Sequence, residues 1–165
     1  MTTVEELSEF AHLAPLGASE LRLLAQAGRD VSYPAGHRLI TEGEAADRCW
    51  LIRTGCVLLD AHVPGQGDVT VQTLGGGDLL GWSWLVPPYR WRFGARVTDP
   101  VAAIEFDSAT LAALADADPV FGRTLTTMLF EALLDRLQAT RARLLDLYRN
   151  PAESCRCVPS PGHRR

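Results

Sequence analysis

The residues with the most chemistry in this 165-residue chain lie between Gly75 and Val97. Gly75, Gly76, Gly77 and Asp78 form a turn, Leu79 and Leu80 are apolar, and Gly81 opens a short segment that Pro87-Pro88 breaks. Backbone N–H groups around a glycine turn make a ready site for an anion. Trp82, Trp84, Tyr89, Trp91 and Phe93 follow closely, with Arg90 and Arg92 among them. Stacking and cation–π contacts from such a set suit an aromatic or apolar molecule that carries an anionic group. A nucleotide or a small aromatic anion is therefore the ligand class, and no other cofactor is called for. The competing reading is that the indoles fill the space themselves, so that the pocket binds nothing.

Other chemistries lack their residues. Metal capture on a sheet needs several His and carboxylate ligands converging from neighbouring strands. His12, His37, His62 and His163 share no motif, and Asp78 and Glu42 are turn residues. A nucleophile elbow, a zinc-protease helix motif and a phosphate loop ending in Gly-Lys-Ser/Thr are all missing from the sequence. Neither a metal site nor catalysis is expected. Cys49 and Cys56 fall in strand-like sequence and read as small buried thiols, whereas Cys155 and Cys157 lie near the end. No apolar run approaches the roughly 20 residues that cross a bilayer, and a polar Thr-Thr-Val-Glu-Glu follows Met1. The expected location is the cytoplasm, away from membranes.

The elements that must hold the Gly75–Val97 stretch follow from periodicity. Val4, Leu7, Phe10, Ala11 and Leu13 have helical spacing, Pro15 and Gly17 turn the chain, and Ser19 is placed to cap a second helix that Gly28 ends. From Val31 the period becomes two, with turn signals at Pro34–Gly36, Glu42–Glu44, Arg53–Gly55, Pro64–Gly67 and Gly75–Gly77. Strands are expected at Arg38–Thr41, Cys49–Ile52, Cys56–Leu59, Val69–Leu74 and Val101–Phe106. Short strands with regular turns imply a jelly-roll-like double-stranded β-helix. The fold class is thus mainly β, a β-roll with a helical lead and helices after it. Asp107 or Ser108 is placed to cap a helix over Ala109–Ala115, and Asp118-Pro119 starts a longer one reaching about Arg149.

Those spacings resemble the cyclic nucleotide-binding domain family, found in bacterial regulators, protein kinase regulatory subunits and gated channels. Gly36-x-x-Leu39, Glu42-Gly43 and the apolar run from Trp50 to Gly55 follow its glycine pattern, and Ala18-Ser19-Glu20-Leu21 resembles the entry to its helical lead. Its phosphate-binding cassette, apolar-Gly-Glu-x-small-apolar, then a loop, then Arg-Ser/Thr-Ala, is matched by Leu80-Gly81 and Leu85 at one end and by Ala95 and Val97 at the other. The resemblance covers Leu7 to about Tyr148. It implies a ligand-sensing regulatory domain and a ligand-binding set of Gly81, Trp82, Ser83, Trp84, Arg90, Arg92, Phe93, Gly94 and Ala95. In this register Trp82 stands where the family has the glutamate that grips the ribose, and Phe93 where it has the arginine that pairs with the cyclic phosphate. Cyclic nucleotide specificity is therefore expected to be altered or lost. The runner-up is a protein-interaction or scaffold module with a self-filled pocket.

On the long helix Phe121, Leu125, Leu129, Leu133 and Leu137 recur at four-residue steps, and Leu144, Leu147 and Tyr148 continue. That step drifts around a 3.6-residue helix, so the apolar surface exceeds what one face of a roll covers. Either the N-terminal helices cover the surplus or a second copy does. The equivalent helix of the bacterial regulators is their dimer interface, which implies a homodimer through Leu125, Leu129, Leu133, Leu137 and Leu144. Residues 1–149 are read as the domain and 150–165, with their prolines and few apolar residues, as a disordered tail. Sixteen basic residues, all arginine, against twenty acidic ones give a net charge of −4, and the tail is too short for a reading domain. No direct DNA binding is expected, so a regulatory output would pass to an unknown protein partner.

Overall fold

The computed structural model describes residues 2–149. The expected tail and the Cys155/Cys157 pair lie outside them. Among the described residues, those up to Leu129 form one compact unit and 130–149 belong to a second.

The lead begins with α1 (Val4–Ser8), where Thr3 and Glu6 close a reciprocal capping box. The helical spacing of residues 4–13 does not produce one helix. A short 3-10 turn, Ala11–Leu13, follows separately and buries Leu13. The second helix, α2 (Ala18–Ala27), starts two residues earlier than a cap at Ser19 would give. Gly17 is its N-cap, and the Glu20 carboxylate accepts from the Gly17 N–H, so Ser19 is not the cap.

Among the described residues six strands follow: β1 (Arg29–Tyr33), β2 (Arg38–Ile40), β3 (Arg48–Val63), β4 (Gly67–Leu74), β5 (Leu79–Leu80) and β6 (Gly94–Asp107). All pairings are antiparallel. The order is β1-β6-β3-β4, with β2 also on β6 and β5 also on β3. The expected strands at Cys49–Ile52 and Cys56–Leu59 are one 16-residue strand, and no turn forms at Arg53–Gly55. Register shifts between Ile52 and Val57 absorb the turn signal as a bulged bend across β6. Gly55 is required there. Its φ is +92°, and a Cβ would come within 2.2 Å of the Pro100 carbonyl oxygen.

Asp107 caps α3 (Ser108–Ala117), accepting from the Thr110 N–H at 2.8 Å, which lowers the Asp107 pKa. Asp118 similarly accepts from Val120 and Phe121 at the start of α4 (Pro119–Arg149). Leu7, Ile40, Leu51, Ile52, Val57, Leu80, Val97, Ile104 and Phe121 form the buried centre of the first unit. Among the described residues no helix is long and apolar enough to cross a membrane.

Candidate functional site

The glycine turn before β5 is not an open anion site. The Gly75 N–H donates to the Asp78 carboxylate at 2.8 Å, the Asp78 N–H to the Gly75 carbonyl, and the Gly77 N–H to Ile52. These donors hold the turn against β3, and Leu79 and Leu80 pair with Leu51 and Trp50. Gly81 then reverses the chain at φ +90°. A Cβ there would meet the Arg48 carbonyl oxygen and the Trp91 ring, each at 3.0 Å.

Beyond Gly81 the predicted residues separate. Trp82 is half-buried and leads into a 3-10 turn, Ser83–Leu85. Ser83 is buried. Trp84 turns away into the core, lining a small apolar cavity with Leu13, Leu24, Cys49, Leu51, Leu79, Phe106, Leu111, Leu125, Met128 and Leu129, and its indole N–H donates to the Gly81 carbonyl. Trp84 is thus core. Cys49 beside it is fully buried, and burial pushes its thiol up to about 12.

The loop of residues 87–93 is stitched to residues 43–46. The Gly43 N–H donates to the Trp91 carbonyl at 2.8 Å, the Trp91 N–H to the Glu44 carbonyl at 2.9 Å, and the Ala46 N–H to the Tyr89 carbonyl at 2.9 Å. Arg90 donates to the Gly43 carbonyl at 2.8 Å and Arg92 to the Pro87 carbonyl at 3.3 Å, and both are exposed. Tyr89 is exposed as well. Trp91 points inward. It is 5% exposed, stacks on Trp50 at 6.1 Å and 29°, and meets Phe93 at 6.2 Å. The aromatic residue inside is therefore Trp91, which the resemblance leaves out of its ligand set. Phe93 is half-buried, and Gly94 and Ala95 are buried at the start of β6 opposite Asp60 and Leu59.

Sequence reasoning missed two charged constellations. Arg38 donates to Asp60 through its two terminal guanidinium nitrogens, beside Gly94, where a Cβ would come within 2.2 Å of Asp60 Oδ1. Glu105, 4% exposed, accepts from Arg29, from the Tyr33 hydroxyl at 2.6 Å and from Trp50 Nε1 at 2.9 Å, with Arg48 at 3.6 Å. Burial opposes its ionisation, but the donors from Tyr33, Arg29 and Trp50 and the Arg48 charge outweigh it, so Glu105 titrates below the ordinary carboxylate range. Burial, followed by the Glu105 contact, raises the Tyr33 pKa. An acidic residue within the otherwise apolar runs Val101–Phe106 and Val57–Ala61 is the signal that could have found both.

On α4, Leu125 and Leu129 are 5% and 4% exposed and belong to the core of the first unit, so neither is free to face a second copy. They point inward because the apolar drift starts on the face that meets Leu13 and Leu111. Leu133, Leu137 and Leu144, in the second unit, are 45%, 62% and 52% exposed. Among the described residues no group of His, Cys, Asp and Glu could hold a metal ion.

An antiparallel roll with a glycine-started cassette before its last long strand, flanked by helices, is the architecture of a cyclic nucleotide-binding domain. The chain belongs to the cyclic nucleotide-binding domain family, whose model matches residues 30–118. It is 26% identical over 130 residues to the CRP-like cAMP-activated global transcriptional regulator of Mycobacterium tuberculosis, covering 78% of this chain and 56% of that protein. The chain thus spans little more than half the length of that relative. A Geobacter metallireducens GS-15 crystal structure, provisionally described as a cyclic nucleotide-binding protein, superposes with a TM-score of 0.75 at 28% identity, covering 83% of this chain and 99% of that one. A cyclic nucleotide-binding domain from Methylobacillus flagellatus KT has the same fold, with a TM-score of 0.77 at 21% identity over 87% and 84% of the two chains.

Proposed function

We propose that this domain is a non-catalytic regulatory module of the cytoplasm whose cassette does not recognise cyclic nucleotides in the family's usual way. The observation that supports this most is the Trp91 indole, buried against Gly81 and stacked on Trp50 where the cassette begins. Its backbone is bonded on both sides to residues 43 and 44, so the ring is not on a loose flap. The guanidinium groups of Arg90 and Arg92 go to backbone carbonyls, and that of Arg38 goes to Asp60. A phosphate would have to compete with each of these partners.

A second reading keeps a changed ligand. Tyr89, Arg90 and Arg92 are all exposed on the loop that carries Trp91, which favours an aromatic anion at its surface. Intrinsic tryptophan fluorescence, titrated with cyclic nucleotides and then with small aromatic carboxylates and sulfonates, separates the two. The self-filled cassette predicts no saturable change with either panel. A saturable change with the aromatic anions alone would select the second reading.

The module is further proposed to pair with a second copy. Phe130, Leu137 and Leu144 recur every seven residues on α4, all more than half exposed, with Leu133 and Leu134 between the first two. A seven-residue apolar repeat is the pattern of a two-stranded helix pair.

A further inference from the structure

A row of residues crosses the sheet from its β1 edge into the cassette. Arg29 on β1 stands opposite Glu105 on β6, Glu105 opposite Trp50 on β3, and Trp50 opposite Leu80 on β5, the residue before Gly81. At the centre of the row is a carboxylate that is 4% exposed. Such a group is costly inside a core unless its oxygens are satisfied. Here each oxygen is used: Oε1 accepts from Arg29, and Oε2 accepts from the Tyr33 hydroxyl and from Trp50 Nε1. The Trp50 indole has a single donor, and Glu105 takes it. That bond fixes the tilt of an indole on which Trp91 stacks at 6.1 Å, and Trp91 is the ring that lies against Gly81.

We propose that Glu105 is a positioning residue for the closed cassette: by holding the Trp50 indole through Nε1 it keeps the Trp91 ring in place, tying closure of the site to the β1 end of the sheet. The proposal rests on the reading that Trp91 fills the cassette. It concerns the regulation of that site, because whatever loosens Glu105 from Trp50 also loosens the ring in the pocket. The hydrogen-bond partners of Glu105 are Arg29, Tyr33 and Trp50. Its effect runs through Trp50.

The test is fluorine NMR on the whole chain labelled with 5-fluorotryptophan, the four resonances being assigned by single Trp→Phe variants. Glu105→Gln keeps one carbonyl acceptor for Trp50 and Tyr33 while losing the charge that Arg29 and Arg48 face. Glu105→Leu removes the acceptor altogether. The expected result is that Glu105→Leu shifts or broadens the Trp91 resonance, that Glu105→Gln leaves it near its original position, and that Trp84, in the separate apolar core, moves in neither. A Trp91 resonance unmoved in folded Glu105→Leu overturns the proposal, as does an equal movement of Trp84, which would report general loosening. Should Glu105→Leu fail to fold, Trp50→Phe removes the same hydrogen bond while keeping a ring. Trp91 must then move, and its constancy would count against the proposal. Failure of the underlying reading has a different signature: Trp91 would shift when cyclic AMP is added to the unsubstituted protein, whatever the Glu105 variants do.

Discussion

At the scale of single residues, the account turns on Trp91. Removing a buried aromatic side chain commonly costs about 3–5 kcal/mol, because lost burial and the residual cavity add. Trp91→Ala should therefore lower the melting temperature clearly, and free indole should restore part of the loss by entering the space beside Trp50 and Phe93. A variant as stable as the parent and indifferent to indole would mean that the ring fills nothing. Legibility at this scale was uneven. That the stretch after Gly81 is rich in aromatic side chains could be read directly from Trp82, Trp84, Trp91 and Phe93. Which indole turns inward could not, since Trp82, Trp84 and Trp91 are equivalent by composition. The outcome depends on the short turn at Ser83–Leu85, which sends Trp84 into the core, and on the hydrogen bonds of Trp91 with residues 43 and 44. Glu105 was missed for a related reason, because its partners lie 55 to 76 residues away in sequence.

At the scale of elements, alternation and glycine spacing revealed the antiparallel roll, but strand ends were misplaced where a turn signal was used as a bend. Arg53-Thr54-Gly55 has the composition of a turn. In the structure β3 runs through it, because β6 comes so close at Pro100 that only a glycine fits. Gly36 provides a control, since its φ is +87° yet nothing lies within 4 Å of an added Cβ. Gly36→Ala should cost roughly 1–2 kcal/mol, the usual penalty for a left-handed alanine. Gly55→Ala should cost clearly more, because backbone must also move. Chemical denaturation of the two variants checks this, and equal midpoints would show that the β3/β6 approach is looser than described. The helix starts were legible where a side chain does the capping, as at Asp107 and Asp118. They were less so at Gly17, where the bond runs from its own N–H to Glu20.

At the scale of the whole molecule, the apolar drift along α4 resolves into a buried stretch and an exposed one. Leu125 and Leu129 complete the core of the first unit, while Phe130, Leu133, Leu137 and Leu144 stay exposed in the second. Burying such side chains is worth roughly 25 cal/mol per Å² before association costs, so a handful of leucines and a phenylalanine could hold a micromolar dimer. Sedimentation of Leu137→Glu with Leu144→Glu should show a smaller, still folded species beside a dimeric parent. A parent that is monomeric at tens of micromolar would remove the dimer from the proposal. The central claim, that the cassette is closed by its own indole, is tested most directly by calorimetric titration of the parent chain with cyclic AMP and cyclic GMP. Each charge-assisted hydrogen bond forgone costs about 1.5–3 kcal/mol, so the loss of several should remove decades of affinity. The account predicts no measurable binding at micromolar nucleotide, and a sub-micromolar dissociation constant for either nucleotide would contradict it.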